Sequence, residues 1–165
     1  MKKMFLALLL LLPIGLMAQQ KIGIVNTQEV MAGMPEVKAA NDKMNDLAKK
    51  YDTDLNGMRD EYNKKVEAFA KEQEGLVENI RLRRQQELQD IQTRIQQSYQ
   101  VMQEDLQKQQ QQLLQPIQVK IQGAIKKVAD AENCTYVMES AMMLYAGNAA
   151  IDLTEKVKAS LGIKK

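Results

Sequence analysis

Between Glu36 and Ala131 apolar residues return every eleven positions, and this spacing constrains the chain more than any other feature. One series runs Met44, Leu55, Val66, Val77, Leu88, Tyr99 and Ile121, broken at Gln110. A second runs Leu47, Met58, Phe69, Ile80, Ile91, Met102, Leu113 and Ala124. A third runs Ala40, Tyr51, Tyr62, Ile95, Leu106, Ile117 and Val128, broken at Gln73 and Arg84. An eleven-residue repeat corresponds to about 3.67 residues per turn, close to the natural α-helix, so helices carrying it pack side by side with little or right-handed supercoiling. The stretch holds one proline, Pro116, and is otherwise mostly Lys, Glu, Gln, Asp, Leu, Met and Ala, largely good helix formers.

A helix this long must double back to cover its stripe, and the expected turn is near Gly75, a poor residue for a helix interior. Residues 36–75 and 76–115 are then arms of equal length, each about 60 Å at 1.5 Å per residue. The stripe breaks at Gln73 and Arg84 flank the expected tip, at residues 73–82. Gly57 is a local weak point in the first arm.

The remaining segments, 19–35 and 116–165, read as a small α+β body. Lys21 to Asn26 is a β-rich run, and Pro35 suits the first position of a helix. Cys134–Ser140 reads as a second strand and Met143–Ala146 as a third, followed by turn chemistry at Gly147 and Asn148. Asp152-Leu-Thr-Glu155 resembles a capping box, with Leu153, Val157 and Leu161 on one helix face and Gly162 as the stop. The fold class is therefore mostly α, a long helical hairpin projecting from a small β-sheet body. Such a body is too small to bury a self-sufficient core, so it is expected to be completed by association. Ile22, Ile24, Val25, Tyr136, Val137, Met138 and Leu144 are the candidates for the shared body.

The first eighteen residues stand apart. Lys2 and Lys3 precede an apolar run, Met4 to Leu16, too short for the roughly 20 residues of a membrane span. With Ala18 before a polar stretch, this reads as an export signal cleaved near Ala18. The mature chain then carries equal numbers of basic and acidic residues, unlike a nucleic-acid binder. With no His in the chain, the commonest general base and metal ligand is missing. No phosphate loop, nucleophile–base pair or metal motif occurs, so no catalytic, cofactor-binding or metal-ligating residue is assigned and an enzyme is not expected. Cys134, the single cysteine, reads as a buried, inert thiol.

What remains is surface. Met44, Met58 and Met102 lie on the stripe, and methionine adapts its shape to irregular apolar partners. Arg81, Arg83 and Arg84 form a basic cluster near the tip. The glutamines of residues 85–122 read as helix surface, because the stripe continues through them. The methionines and arginines are the candidate partner-contact residues.

Taken in order, Lys21-Ile-Gly-Ile-Val-Asn26, the Gln/Lys/Glu-rich hairpin, Ile121-Gln-Gly-Ala-Ile-Lys-Lys-Val-Ala129, Tyr136-Val-Met-Glu139, Leu144-Tyr-Ala146 and Asp152-Leu-Thr154 resemble the Skp/OmpH family of periplasmic chaperones. The resemblance covers essentially the whole mature chain. It implies a periplasmic homotrimer with a β-body assembled from three subunits and three hairpins around a cavity. There, unfolded outer-membrane proteins are held without catalysis or cofactor. The family's basic cluster late in the return arm, proposed to contact lipopolysaccharide, is Gln107-Lys-Gln-Gln-Gln-Gln112 here, so no residue is assigned to lipopolysaccharide or membrane contact. The alternative reading is a structural coiled-coil or scaffold protein of the cell envelope.

Overall fold

A computed structural model describes residues 20–163. The proposed export signal lies outside these residues. The chain runs β1 (Lys21–Val25), α1 (Thr27–Ala32), α2 (Pro35–Glu72), α3 (Glu78–Glu132), β2 (Cys134–Glu139), β3 (Ala150–Asp152) and α4 (Thr154–Ser160). The long hairpin and small sheet expected from the sequence are both present. Helix α2 opens with Pro35 in its first turn, where the missing N–H costs nothing. It passes Gly57 without a break, so the weak point expected there does not interrupt the helix. A short 3-10 turn at Gln73–Gly75 ends the outgoing arm, and Leu76 and Val77 are extended before α3 begins.

The return helix does not stop at the end of the arm. It continues through Pro116 for a total of 55 residues, about 82 Å. Proline cannot donate to the Gln112 carbonyl, yet burial holds the helix beyond it. Ile117, Ile121, Ala124 and Val128, one face of the last turns, enter the core of the body. Asn133, at φ 55°, ends α3 in the left-handed conformation that asparagine tolerates.

The sheet has the order β2-β1-β3, and both pairs are parallel. Parallel neighbours need a crossover, and the whole hairpin serves as the connection from β1 to β2. Gly23 and Val25 point into the core, where a Cβ on Gly23 would lie 2.5 Å from the Leu153 side chain. Leu153, just before α4, Val157 of α4 and Val30 of α1 are fully buried beside them. Helix α4 ends in a Schellman motif: the Ile163 amide donates to Lys158 O at 3.0 Å, the Gly162 amide to Ala159 O at 3.0 Å, and Gly162 has φ 75°.

One local reading is corrected. Met143–Ala146 is not a strand; the third strand is Ala150–Asp152, which pairs with β1 through Ile22↔Ala150 and Ile24↔Asp152. Leu144 and Tyr145 stand in solvent instead. Their β-propensity described a fit to a half-buried pleated surface that nothing in this chain supplies to them. At the start of α4, Asp152 Oδ1 accepts from the Thr154 amide at 2.8 Å, and Glu155 pairs with Lys158.

Candidate functional site

Two surfaces offer themselves, the inner sides of the arms and the open face of the sheet. Along the arms the apolar stripe pairs α2 with α3, but thinly. In the arm region, from Met44 to Leu114, only Leu55 and Ile91 are fully buried. Met44, Met58 and Met102 are all half-buried. Met44 lies in a groove of about 350 Å³ between the helices, walled by Ala40, Ala48, Leu106, Leu113 and Leu114. The alanines explain the gap: small side chains on α2 face long ones on α3 and do not reach them. A second groove of about 300 Å³ lies at the arm root, where Ala39, Ala40, Pro116 and Ile117 form its floor. Parts of the stripe are exposed. Val66, Val77 and Tyr99, three members of one eleven-residue series, are 36%, 66% and 50% exposed.

Polar rungs hold the arms in register where apolar packing is thin. Tyr51 donates its hydroxyl to Asp105 Oδ2 at 2.6 Å, Lys65 pairs with Glu87, and Lys120 pairs with Glu36. The hydrogen bond to Asp105 raises the Tyr51 hydroxyl above its ordinary value, since ionising it would set two anions together. Bonding to Lys65 and to Lys120 lowers Glu87 and Glu36, respectively.

The basic cluster is less open than its sequence indicates. Arg81 pairs with Glu78, and Arg84 lies 3.7 Å from Glu87, both on the same helix. Arg83 is the member of the three that has no ion pair among the described residues. Beside the cluster, Val77 and Leu82 are more than half exposed. These tip residues are apart from the methionines, so the structure does not bring the two sets of contact candidates into one site.

The sheet covers its inner face with α1, α3 and α4 and leaves the other uncovered. Ile22, Tyr136 and Met138, on β1 and β2, are 37%, 60% and 45% exposed, and Ile22 is in register with Tyr136, Ile24 with Met138. In the segment after β2, Met142, Leu144 and Tyr145 are also exposed. Val25 belongs to the opposite face, within the subunit's own core, and Val137 packs against that core. Cys134 is half-buried at the start of β2. The sequence reading missed the polar rungs and the grooves, which depend on which residues of the two arms come level.

A long two-helix arm on a small parallel sheet, with one sheet face left uncovered among the described residues, defines a class of hairpin-armed α+β proteins. A family model, the outer membrane protein (OmpH-like) family, matches residues 21–161. The chain belongs to the OmpH-like family. Its fold is similar to that of a crystal structure from Caulobacter crescentus CB15 described as an OmpH-like outer membrane chaperone. The TM-score is 0.76 at 18% identity, over 86% of this chain and 83% of the other. No curated protein matches at a significant level.

Proposed function

We propose that this chain is a periplasmic holdase chaperone, which keeps unfolded outer-membrane proteins from aggregating by holding them against its helical arms. The observation that carries this reading is the surplus apolar surface of the arms. Two paired helices about 57 Å long fully bury little beyond Leu55 and Ile91 along their shared length. A rod meant only to be rigid would fill its seam, because packing at crystal-like density is where side-chain contacts stabilise most. Here half-buried methionines, an open groove and the exposed side chains of Val66 and Tyr99 are left for another chain. Membership of the OmpH-like family supports the same reading.

The assembly proposed with it is a homotrimer. Its support is the uncovered sheet face, together with the exposed Leu144 and Tyr145, in a body whose sheet has three short strands among the described residues. Three copies joined there would set three arms around one space, in which many weak contacts act at high effective concentration.

The test is aggregation of a urea-denatured outer-membrane β-barrel protein after dilution, followed by light scattering. Sub-stoichiometric to equimolar trimer should suppress it, without nucleotide. Unchanged aggregation at a several-fold excess of trimer would overturn the holdase reading in favour of an envelope scaffold.

A further inference from the structure

The glutamines of α3 repeat with the same period as the apolar stripe. Gln85, Gln96, Gln107 and Gln118 are eleven residues apart, and so are Gln89, Gln100, Gln111 and Gln122. All eight are exposed, and none of their side-chain amides makes a hydrogen bond among the described residues. They form four pairs spaced i, i+4, and an eleven-residue repeat on a helix keeps those pairs in one line along about 55 Å of α3, from the return arm to its root. The contrast with the other arm is sharp. Residues 85–122 contain 16 glutamines and seven charged residues, whereas the equally long α2, residues 35–72, contains no glutamine and 17 charged residues. Both arms are long, solvated helices of similar propensity, so solubility alone does not explain why one is charged and the other is not.

From this we infer that the glutamine line on α3 is the surface along which a held polypeptide docks, and that it recognises the partner's unpaired backbone amides. The inference rests on the holdase reading. A carboxamide offers an acceptor oxygen and two N–H donors, the same pairing set that a peptide group presents. Members of an i, i+4 pair are about 6 Å apart along the helix axis, close to the roughly 6.6 Å two-residue repeat of an extended chain. Backbone groups are common to every unfolded sequence, so such a line is indifferent to which side chains pass over it. It also carries no charge to desolvate as the partner approaches, whichever sign that partner has. Each amide competes with water and contributes little alone, but eight in line act together with the adjoining groove between the helices, whose wall Gln107 shares.

The experiment uses the full mature chain and a fluorescently labelled, urea-denatured outer-membrane β-barrel protein as probe, with affinity read by anisotropy. The variant replaces Gln89, Gln100, Gln111 and Gln122 with Ala, which keeps helix propensity and net charge. A control replaces four exposed charged residues of α2, Asp42, Lys49, Asp60 and Lys64, with Ala. The expected result is a loss of affinity of about tenfold or more in the glutamine variant and less than about twofold in the control, with helicity by circular dichroism unchanged in both. Equal affinities of wild type and glutamine variant would overturn the docking line and leave the holdase reading intact. No binding by the wild type would overturn both. A change in mass of the glutamine variant by light scattering would show instead that the line joins copies of this chain, and would overturn the proposal.

Discussion

Gly23 shows how one residue decides whether the body closes. It sits on the central strand with Leu153 pressed against it, and a Cβ there would also lie 3.3 Å from the Val137 side chain. Leu153 is fully buried and has no room to withdraw. Gly23→Ala is therefore expected to destabilise the body by about 1–3 kcal/mol, the usual range for overpacking, seen as a lower urea midpoint. Leu153→Ala errs the other way and should cost about 2–5 kcal/mol through a cavity. The arm methionines behave differently because they are only half-buried. Single Ala changes at Met44, Met58 or Met102 should barely alter stability or client affinity, while the triple change weakens suppression of aggregation severalfold. If one single change abolishes suppression, the contacts are concentrated rather than distributed.

Among the elements, β2 and α1 are joined by one carboxylate. Glu139 accepts hydrogen bonds from the Thr27 amide at 3.2 and 3.3 Å, while Asn26 Oδ1 caps the same helix by accepting from the Glu29 amide at 3.0 Å. Burial pushes Glu139 up, but the bonds from Thr27 and the Ala141 amide outweigh it, and the group lies below the ordinary carboxylate value. A depressed carboxylate stabilises the fold above its unfolded-state value, and that contribution is lost as pH falls through the folded value. Glu139→Gln should lower the urea midpoint at pH 7 and should lose less than the wild type on acidification from pH 6 to 3. Equal acid sensitivity of the two would place the pH dependence in other carboxylates, such as Glu36 and Glu87, which are also depressed. Asn26→Ala should cost about 1 kcal/mol, the usual effect of losing a helix cap.

For the whole molecule, two properties follow from the division into arms and body. The first is assembly. Tyr136→Glu places a charge on the uncovered sheet face and spares the subunit's own core, so the variant should stay folded and show a monomer mass by light scattering. Val25 is unsuitable for that test, because at 2% exposure a charge there would unfold the subunit itself. The second is salt dependence. With 23 basic and 21 acidic residues, the chain has little net charge to draw in a partner from a distance. Exposed charges are already screened beyond about 8 Å at 0.15 M salt. Client affinity should therefore change less than about threefold between 0.05 and 0.5 M salt. A steep decline would return the weight to the tip, where Arg83 is not ion-paired.

The hairpin was legible in the residues themselves. The period of the apolar stripe selects long, nearly straight helices, and a period repeats whether or not the partner is known. The strand at Lys21–Val25 and the stop at Gly162 were likewise local, since a β-rich run and a glycine that accepts positive φ carry their own signal. What only the tertiary structure decided is which side chains come level with one another. Met143–Ala146 has the composition of a strand, but the free edge of β1 takes Ala150–Asp152, beside which Leu153 can cover Gly23. Pro116 looks like a boundary, yet the helix runs on because Ile117, Ile121, Ala124 and Val128 are buried in the body beyond it. The looseness of the arms depends on alanines of one helix meeting leucines of the other across a gap. Periodicity states that a face is apolar; only the alignment of two faces fixes how well it is filled.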